Sequence, residues 1–267
     1  MSNFEPTLQL TQDQIDFYHR EGYLVLDSIT TLDEIAWMRD VYDRIFEQKA
    51  GREEGNQFDL AGTDEEGARE ALPQILAPSK YAPELKEGLY RVNTAHIAKQ
   101  LLGSLATVGG DHAIFKPAGY GATTPWHQDE AYWNPMMTYN SFSLWLPLQE
   151  ATLENGCLWF VPRSHNWEVQ PHHCINNDPR IHGLEIDTID ASLAVACPIP
   201  AGGCTIHHNR TAHYAGANTS TTPRRALIVG CGMPATHRET PRTFYWNEMK
   251  ETPREARAKV AEAKAQT

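Results

Sequence analysis

Trp126-His127-Gln128-Asp129-Glu130 is the segment of this chain whose residue types and spacing best suit a metal ion. Side chains at i and i+2 of a strand share one face, so His127 and Asp129 can chelate one ion from a single short segment. Neutral imidazole is the commonest metal ligand. Two histidines and one carboxylate on one face of an octahedron leave three positions open, the arrangement that suits oxygen activation by non-haem Fe(II). The pair alone is a weak signal. With 12 histidines and 34 acidic residues in 267, about one and a half such pairs arise by chance, and the chain holds three. His19-Arg20-Glu21 falls in an expected helix, where i and i+2 diverge. His237-Arg238-Glu239 has no histidine after it, whereas His127 and Asp129 stand in an extended context with several histidines downstream.

His213 is the candidate third ligand. It follows the strand-like Thr205 to His208 and precedes another strand-like run at Ala226, so a barrel can bring it beside His127. Arg224 lies eleven positions on, at the entrance to that next strand. A guanidinium there can fork onto a carboxylate whose other end chelates the ion, each charge-assisted bond being worth about 1.5–3 kcal/mol. A turn-capping His213 and a solvated Arg224 fit the same positions equally well. His207 and His208 alternate, so one of them faces inward, in a metal-supporting, substrate or packing role.

The elements that must position these residues divide into two halves. Thr11 with Gln14, and Thr31 with Glu34, form capping boxes that open two helices, with Gly22 ending the first and Tyr23 to Leu26 a short strand between them. Ile35, Met38, Val41, Tyr42 and Ile45 make one buried stripe. Gly51 to Gly67 reads as a mobile surface loop, its acidic run Asp64 to Glu66 as a solvated face, and Pro83 to Leu102 as a third helical region. After Gly110, short β-branched and aromatic runs alternate with Pro, Gly and Asn: His112–Lys116, Ser141–Leu146, Leu158–Val161, Val195–Ile199, Thr205–His208 and Ala226–Cys231. That spacing predicts an antiparallel sandwich or barrel, with Asn155-Gly156 marking a hairpin. His165 to Asp190, which holds His172 and His173, is a long polar segment suited to covering an active site. One domain over residues 1–267 is expected: a helical part to about 103, a β core over about 104–235, and a largely solvated helix over about 251–264.

Composition sets outer limits. Hydrophobic residues at 41% and charged residues at 21% are globular values. A net charge of -11 disfavours broad nucleic-acid or anionic-membrane surfaces, yet two or three local basic residues can still override that field for a small anionic ligand. No apolar run approaches the roughly 18 residues of a membrane span, and the start of the chain lacks the basic and apolar parts of a signal peptide. Five cysteines without a C-x-x-C pair fit inert thiols in a reducing compartment, so a cytoplasmic protein is expected. Oligomeric state is not readable.

His127-Gln-Asp129, then Asn155-Gly-Cys-Leu158 leading into Pro162-Arg-Ser-His165, then His213…Gly216…Asn218…Ser220…Arg224, resembles the phytanoyl-CoA dioxygenase family over roughly Tyr23 to Gly232. The resemblance implies an all-β core with flanking helices, a double-stranded β-helix (a cupin-like jelly roll). It also implies an oxygenase using Fe(II), 2-oxoglutarate and O2, most simply hydroxylating a small organic molecule. His127, Asp129 and His213 are then the iron ligands, Arg224 clamps the distal carboxylate of 2-oxoglutarate, and Lys116, Gln128 and Trp145 match family positions at the cosubstrate. Trp126, Tyr132 and Trp133 are candidate substrate walls, with core packing the competing role. Two departures stand out. Arg163 replaces the glycine of the usual Pro-Gly-Ser-His, as a candidate substrate contact or a solvated residue, and Ala215 replaces a serine able to bond the cosubstrate. The rivals are a cupin-like metal hydrolase or isomerase without 2-oxoglutarate, and a non-catalytic binding protein on the same scaffold.

Overall fold

Period-two alternation sorts the side chains of the central strands between a helix-packed face and an interior face. In the computed structural model, which describes residues 4–120 and 122–265, seven strands form one sheet. Their order is Tyr23–Leu26, Cys204–His208, Ser141–Pro147, Arg224–Gly232, Thr107–Lys116, Pro73–Leu76 and Gln57–Asp59. A four-stranded sheet runs Val195–Cys197, Leu158–Phe160, His213–Ala215 and Thr124–His127. Residues 1–3, 121 and 266–267 of the expected domain lie outside the described residues. The pairings are antiparallel throughout both sheets, as a jelly roll requires.

Phe142, Leu144, Leu146, Ile206, Leu227 and Val229 point to one face of the large sheet, where they pack with Ile35, Met38, Val41, Tyr42 and Ile45 of the helix Leu32–Glu47. The intervening residues Ser143, Trp145, His207, Arg224 and Ile228 point the other way, into the space between the sheets. A one-residue slip of any strand would exchange the two sets, so core burial holds the polar interior residues in register.

The helices follow their caps. Thr11 and Gln14 form the full capping box of Gln12–Glu21, and Gly22 ends that helix at φ +82°. Thr31 caps Leu32–Glu47 through the Glu34 amide, but the Glu34 carboxylate does not close the box. It accepts instead from the backbone N–H groups of Leu89 (2.6 Å) and Tyr90 (2.9 Å). It thereby caps Leu89–Leu102, whose own N-cap, Gly88, has no side chain to do so.

Three expectations are corrected. Residues 51–67 are not simply a surface loop: Gln57–Asp59 is a buried strand at the sheet edge. Asp64 is buried rather than solvated, because Arg52 and Arg257 pair with it. Asn155-Gly156 does not close a hairpin, since Ser141–Pro147 and Leu158–Phe160 belong to different sheets. The turn instead carries the chain across. Gly156 sits at φ +87°, where a Cβ would come within 2.4 Å of the Gly216 carbonyl oxygen, so glycine is required there.

Candidate active site

His127 and His213 are direct partners across the antiparallel pair Thr124–His127 and His213–Ala215, although 86 positions separate them. Gln128 stays extended (φ −120°, ψ 131°), so the period of two carries past the strand end and Asp129 returns to the His127 face. The ligand atoms of His127, Asp129 and His213 all lie within 4.8 Å of one another. Asp129 Oδ1 is 3.7 Å from His127 Nε2 and 3.6 Å from His213 Nε2.

The ring orientations are dictated by what the other nitrogens touch. His127 Nδ1 is 2.8 Å from the Pro125 carbonyl and His213 Nδ1 is 2.9 Å from the Thr211 carbonyl. A carbonyl can only accept, so both Nδ1 atoms donate and both Nε2 lone pairs face the site, the arrangement of metal-ligating histidines. Burial lowers the pKa of His127 and pushes that of His213 well below its ordinary value, keeping both neutral. Burial alone would raise the Asp129 pKa, yet it is held well below the carboxylate range, with His207 as a hydrogen-bond partner. Ser143 donates to Asp129 Oδ2 at 2.6 Å, and His207 Nε2 lies 3.3 Å from the same oxygen. Ser143 was not singled out from sequence. Its position two residues before Trp145 on one strand was the available signal.

The turn Asp129–Tyr132 is anchored from below. Buried Glu130 accepts from Arg242 at 2.6 Å, and the Ala131 carbonyl accepts from Trp246 Nε1 (2.9 Å) and Asn247 Nδ2 (2.8 Å). The C-terminal segment therefore braces the loop that carries a candidate ligand. Sequence reading gives Trp246 and Asn247 no role; the largely solvated helix expected over about 251–264 is Pro253–Ala265, which has no buried residue. Local pattern misses such docking because the contact surface is shared with residues more than a hundred positions away.

A cavity of about 840 Å³ contains the triad, Trp145, Arg224, Tyr132 and Trp133. Arg224 is 1% exposed, its guanidinium lies 5.3 Å from the centroid of the Trp145 ring, and its Nε and Nη1 have no hydrogen-bond partner. Burial lowers its pKa to about 10, so it remains charged at neutral pH. Buried donors are nearly always satisfied, and unsatisfied ones on a cation mark the place of an anion. The residues present thus fit a 2-oxoacid dianion spanning the triad and Arg224. Lys116 is the direct strand partner of Arg224, but its ammonium is given to the carbonyls of Ala122 (2.9 Å) and Ala215 (3.4 Å).

Comparison with known proteins decides the family. The phytanoyl-CoA dioxygenase family model matches residues 18–226. The chain belongs to the phytanoyl-CoA dioxygenase family. It is 27% identical to a phytanoyl-CoA dioxygenase of Arabidopsis thaliana, over 84% of this chain and 89% of that protein. It is 25% identical to a probable alpha-ketoglutarate-dependent hypophosphite dioxygenase of Stutzerimonas stutzeri, covering 80% and 75%. The crystal structure of EvdO2 from Micromonospora carbonacea var. aurantiaca complexed with 2-oxoglutarate superposes with a TM-score of 0.77 at 35% identity, covering 91% of this chain and 99% of that one. The chain is accordingly a non-haem iron, 2-oxoglutarate-dependent oxygenase on a jelly-roll core.

Three residues assigned from the phytanoyl-CoA dioxygenase resemblance or from proximity stand elsewhere. Gln128 points away from the cavity, its amide donating to the Arg210 carbonyl (2.7 Å) and accepting from Gln170 N (2.8 Å), because i and i+1 of an extended segment face opposite ways. Trp126 for the same reason lies on the outer face of the small sheet, stacked on Tyr214 at 5.3 Å. Arg163 is exposed and forks onto Glu21, with both nitrogens at 3.2 Å. Its φ of +66° explains why the family favours glycine there. Arg163→Gly is therefore expected to leave turnover unchanged and the melting temperature nearly so, relief of the left-handed conformation offsetting loss of a surface ion pair. A kinetic and thermal comparison with the wild type checks both, and a lost activity would return Arg163 to the substrate.

Two further histidines, His172 buried and His208 half-buried, are expected to make the fold pH-sensitive. His172 donates from Nδ1 to the Gln170 carbonyl and accepts the Gln128 N–H at Nε2, so a second proton would face a donor. His208 Nδ1 accepts from Arg210 N in the same way. Burial pushes both down to about 3. An unfolded histidine protonates near 6.5, so below that pH the unfolded chain binds more protons than the folded one. Stability is then lost as pH falls, by up to about 1.4 kcal/mol per pH unit for His172. The metal-free melting temperature should be level above pH 7 and fall steadily from pH 6.5 to 5. A flat profile to pH 5 would contradict the assigned tautomers.

Proposed function

We propose that this chain hydroxylates a small organic molecule, R–H + 2-oxoglutarate + O2 giving R–OH + succinate + CO2, as one oxygenase domain over residues 1–267. The observation that carries this reading is the buried Arg224 guanidinium, with two unpartnered nitrogens in the same cavity as His127, Asp129 and His213. A metal hydrolase or isomerase needs the triad but has no use for that cation. In this reading His127 Nε2, His213 Nε2 and Asp129 hold Fe(II), and Arg224 receives the distal carboxylate of 2-oxoglutarate. When bound, the iron and the cosubstrate supply the oxidising chemistry that couples decarboxylation to C–H oxidation.

The chain's own residues orient and exclude. Ser143 and His207 keep Asp129 from rotating. Leu158, Ala215, Ile228 and Trp145 surround the Arg224 region with apolar surface, which strengthens its pairing with a carboxylate. Ala215 leaves the cosubstrate without the serine common in the family, so Arg224 takes a larger share of that recognition. Tyr132 is fixed by a 2.8 Å bond from Leu184 N to its hydroxyl and meets His127 edge-on at 6.3 Å, and with Trp133 it offers the substrate an aromatic wall of the same cavity. A cytoplasmic site of action is supported by five buried cysteines, none paired. No helix among the described residues is long and apolar enough to cross a membrane.

The test is an anaerobic incubation of the protein with Fe(II), 2-oxoglutarate and a metabolite library, scored by succinate release and O2 uptake once air is admitted. Turnover should require 2-oxoglutarate. Oxidation that proceeds without it, or Mn(II)-loaded protein that shows no 2-oxoglutarate binding by calorimetry, would return the reading to its rivals.

A further inference from the structure

The same cavity holds a second group of cations, on elements that carry neither the triad nor Arg224. Lys250 and Arg254 line its C-terminal rim, beside exposed Glu248. Each lies against an aromatic ring: the Lys250 ammonium is 4.7 Å from the Tyr132 centroid and the Arg254 guanidinium 4.8 Å from that of Phe58. His182 joins the two rings, stacked on Tyr132 at 5.6 Å and edge-on to Phe58 at 4.9 Å. Tyr132 in turn meets His127 edge-on at 6.3 Å. The 4.7 and 6.3 Å spacings laid end to end bound the distance from the Lys250 ammonium to a candidate iron ligand, which is within the length of a small molecule.

These cations lack the partners that their neighbours have. Arg242 is paired with Glu130, and Arg257 with Asp64. Among the described residues neither Lys250 nor Arg254 has a carboxylate within 4.0 Å. Arg254 Nε and His182 Nδ1 are buried with no hydrogen-bond partner. Glu255 is the acid whose field reaches both cations, yet it forms no ion pair with either. Glu248 and Glu255 line the same wall, so the cations stand out not by net charge but because they and a ring nitrogen have no bonded partner there. The aromatic faces compensate the cations only in part. Burial also lowers the Lys250 pKa to about 8, a cost that an arriving anion would relieve.

We propose that Lys250, Arg254 and His182 form an oxyanion-binding site that selects substrates bearing a carboxylate or phosphate group, and that this site sets which bond is presented to the iron. The inference rests on the oxygenase reading above for its consequence, though not for its geometry. The residues that carry the two cations lie beyond 18–226, the part of the chain matched by the family model. His182 lies within the matched part. Because Trp246 and Asn247 bond the turn that carries Asp129, an anion seated on Lys250 is positioned relative to the ligand turn by the same short segment.

The experiment uses full-length protein carrying Mn(II) and saturating 2-oxoglutarate, so that Arg224 is already occupied. Inorganic phosphate is titrated and followed by the paramagnetic broadening of its phosphorus resonance. Benzoate and benzamide are titrated in parallel by calorimetry. Saturable phosphate binding is expected, weakened at least tenfold by Lys250→Met and by Arg254→Met and largely kept by Lys250→Arg. Benzoate should bind at least tenfold tighter than benzamide if a carboxylate suffices, whereas phosphate binding with no such preference assigns the site to phosphoryl groups. No saturable binding of phosphate or benzoate by the wild type, or binding that survives the double Met variant, would overturn the proposal. Failure of 2-oxoglutarate to bind before any anion is added would instead sink the oxygenase reading. The anion titrations, repeated without it on Arg224→Met protein, would still report on Lys250 and Arg254.

Discussion

Asp129→Ala is expected to lower substrate-dependent 2-oxoglutarate turnover by ~10³-fold or more, about 4 kcal/mol of lost stabilisation, without unfolding the domain. Asp129 is the single anion facing the two imidazole lone pairs, with Oδ1 at 3.7 and 3.6 Å from them. Without it a divalent ion in a buried cavity meets two neutral ligands and no compensating charge, so both metal affinity and the open-face geometry are lost. The turn itself should survive. Glu130 is held by Arg242, and the Ala131 carbonyl by Trp246 and Asn247, none of which depends on the Asp129 carboxylate. Asp129→Asn separates charge from shape, since the amide can still accept from Ser143; it should lose at least 10²-fold. Succinate formation, Mn(II) titration by electron spin resonance and melting temperature check the three parts. Full turnover in the Ala variant would remove Asp129 from the ligand set.

Arg224→Met is expected to raise the 2-oxoglutarate requirement about 10²- to 10⁴-fold while metal affinity changes little. Two charge-assisted hydrogen bonds at about 1.5–3 kcal/mol each account for that range. The variant has a second signature that a merely structural role would not give. In the cosubstrate-free protein Arg224 is a buried cation with two nitrogens unpartnered, an arrangement that costs stability. A methionine of similar length should leave the melting temperature of the cosubstrate-free protein unchanged or raise it. The rise that Mn(II) with 2-oxoglutarate produces in the wild type should disappear. Thermal melts with and without 2-oxoglutarate, together with KM, read both effects. An unchanged cosubstrate dependence would mean that Arg224 is not the clamp.

The parts of this reading that were legible in the sequence are those governed by local periodicity. The stripe from Ile35 to Ile45 is the buried face of Leu32–Glu47. The expected strand Ser141–Leu146 is Ser141–Pro147, and Thr205–His208 is Cys204–His208. The period of two put His127 and Asp129 on one side of an extended segment, as the backbone at Gln128 bears out. The same rule, applied to i+1, would have turned Gln128 and Trp126 away from the cavity. Family resemblance and mere proximity had placed them at it, and the alternation overrules both.

Local pattern told which residues share a side, because side-chain direction repeats every two or every 3.6 residues and needs only near neighbours to be set. It carried the shared side of His127 and Asp129, the N-cap threonines and the layered β core, while the full ligand set with His213 came from the family resemblance. Which distant sides meet was settled by packing. The pairing of His213 with His127, the Ser143 and His207 bonds to Asp129, the second use of Glu34 as a cap, and the docking of Trp246 under Ala131 all join residues far apart in the chain. Such contacts are chosen by burial of the whole molecule rather than by any segment's own preferences. Lys250 and Arg254 show the difference most plainly: in sequence they are two of 23 basic residues, and only the fold leaves them facing a cavity with no carboxylate in reach.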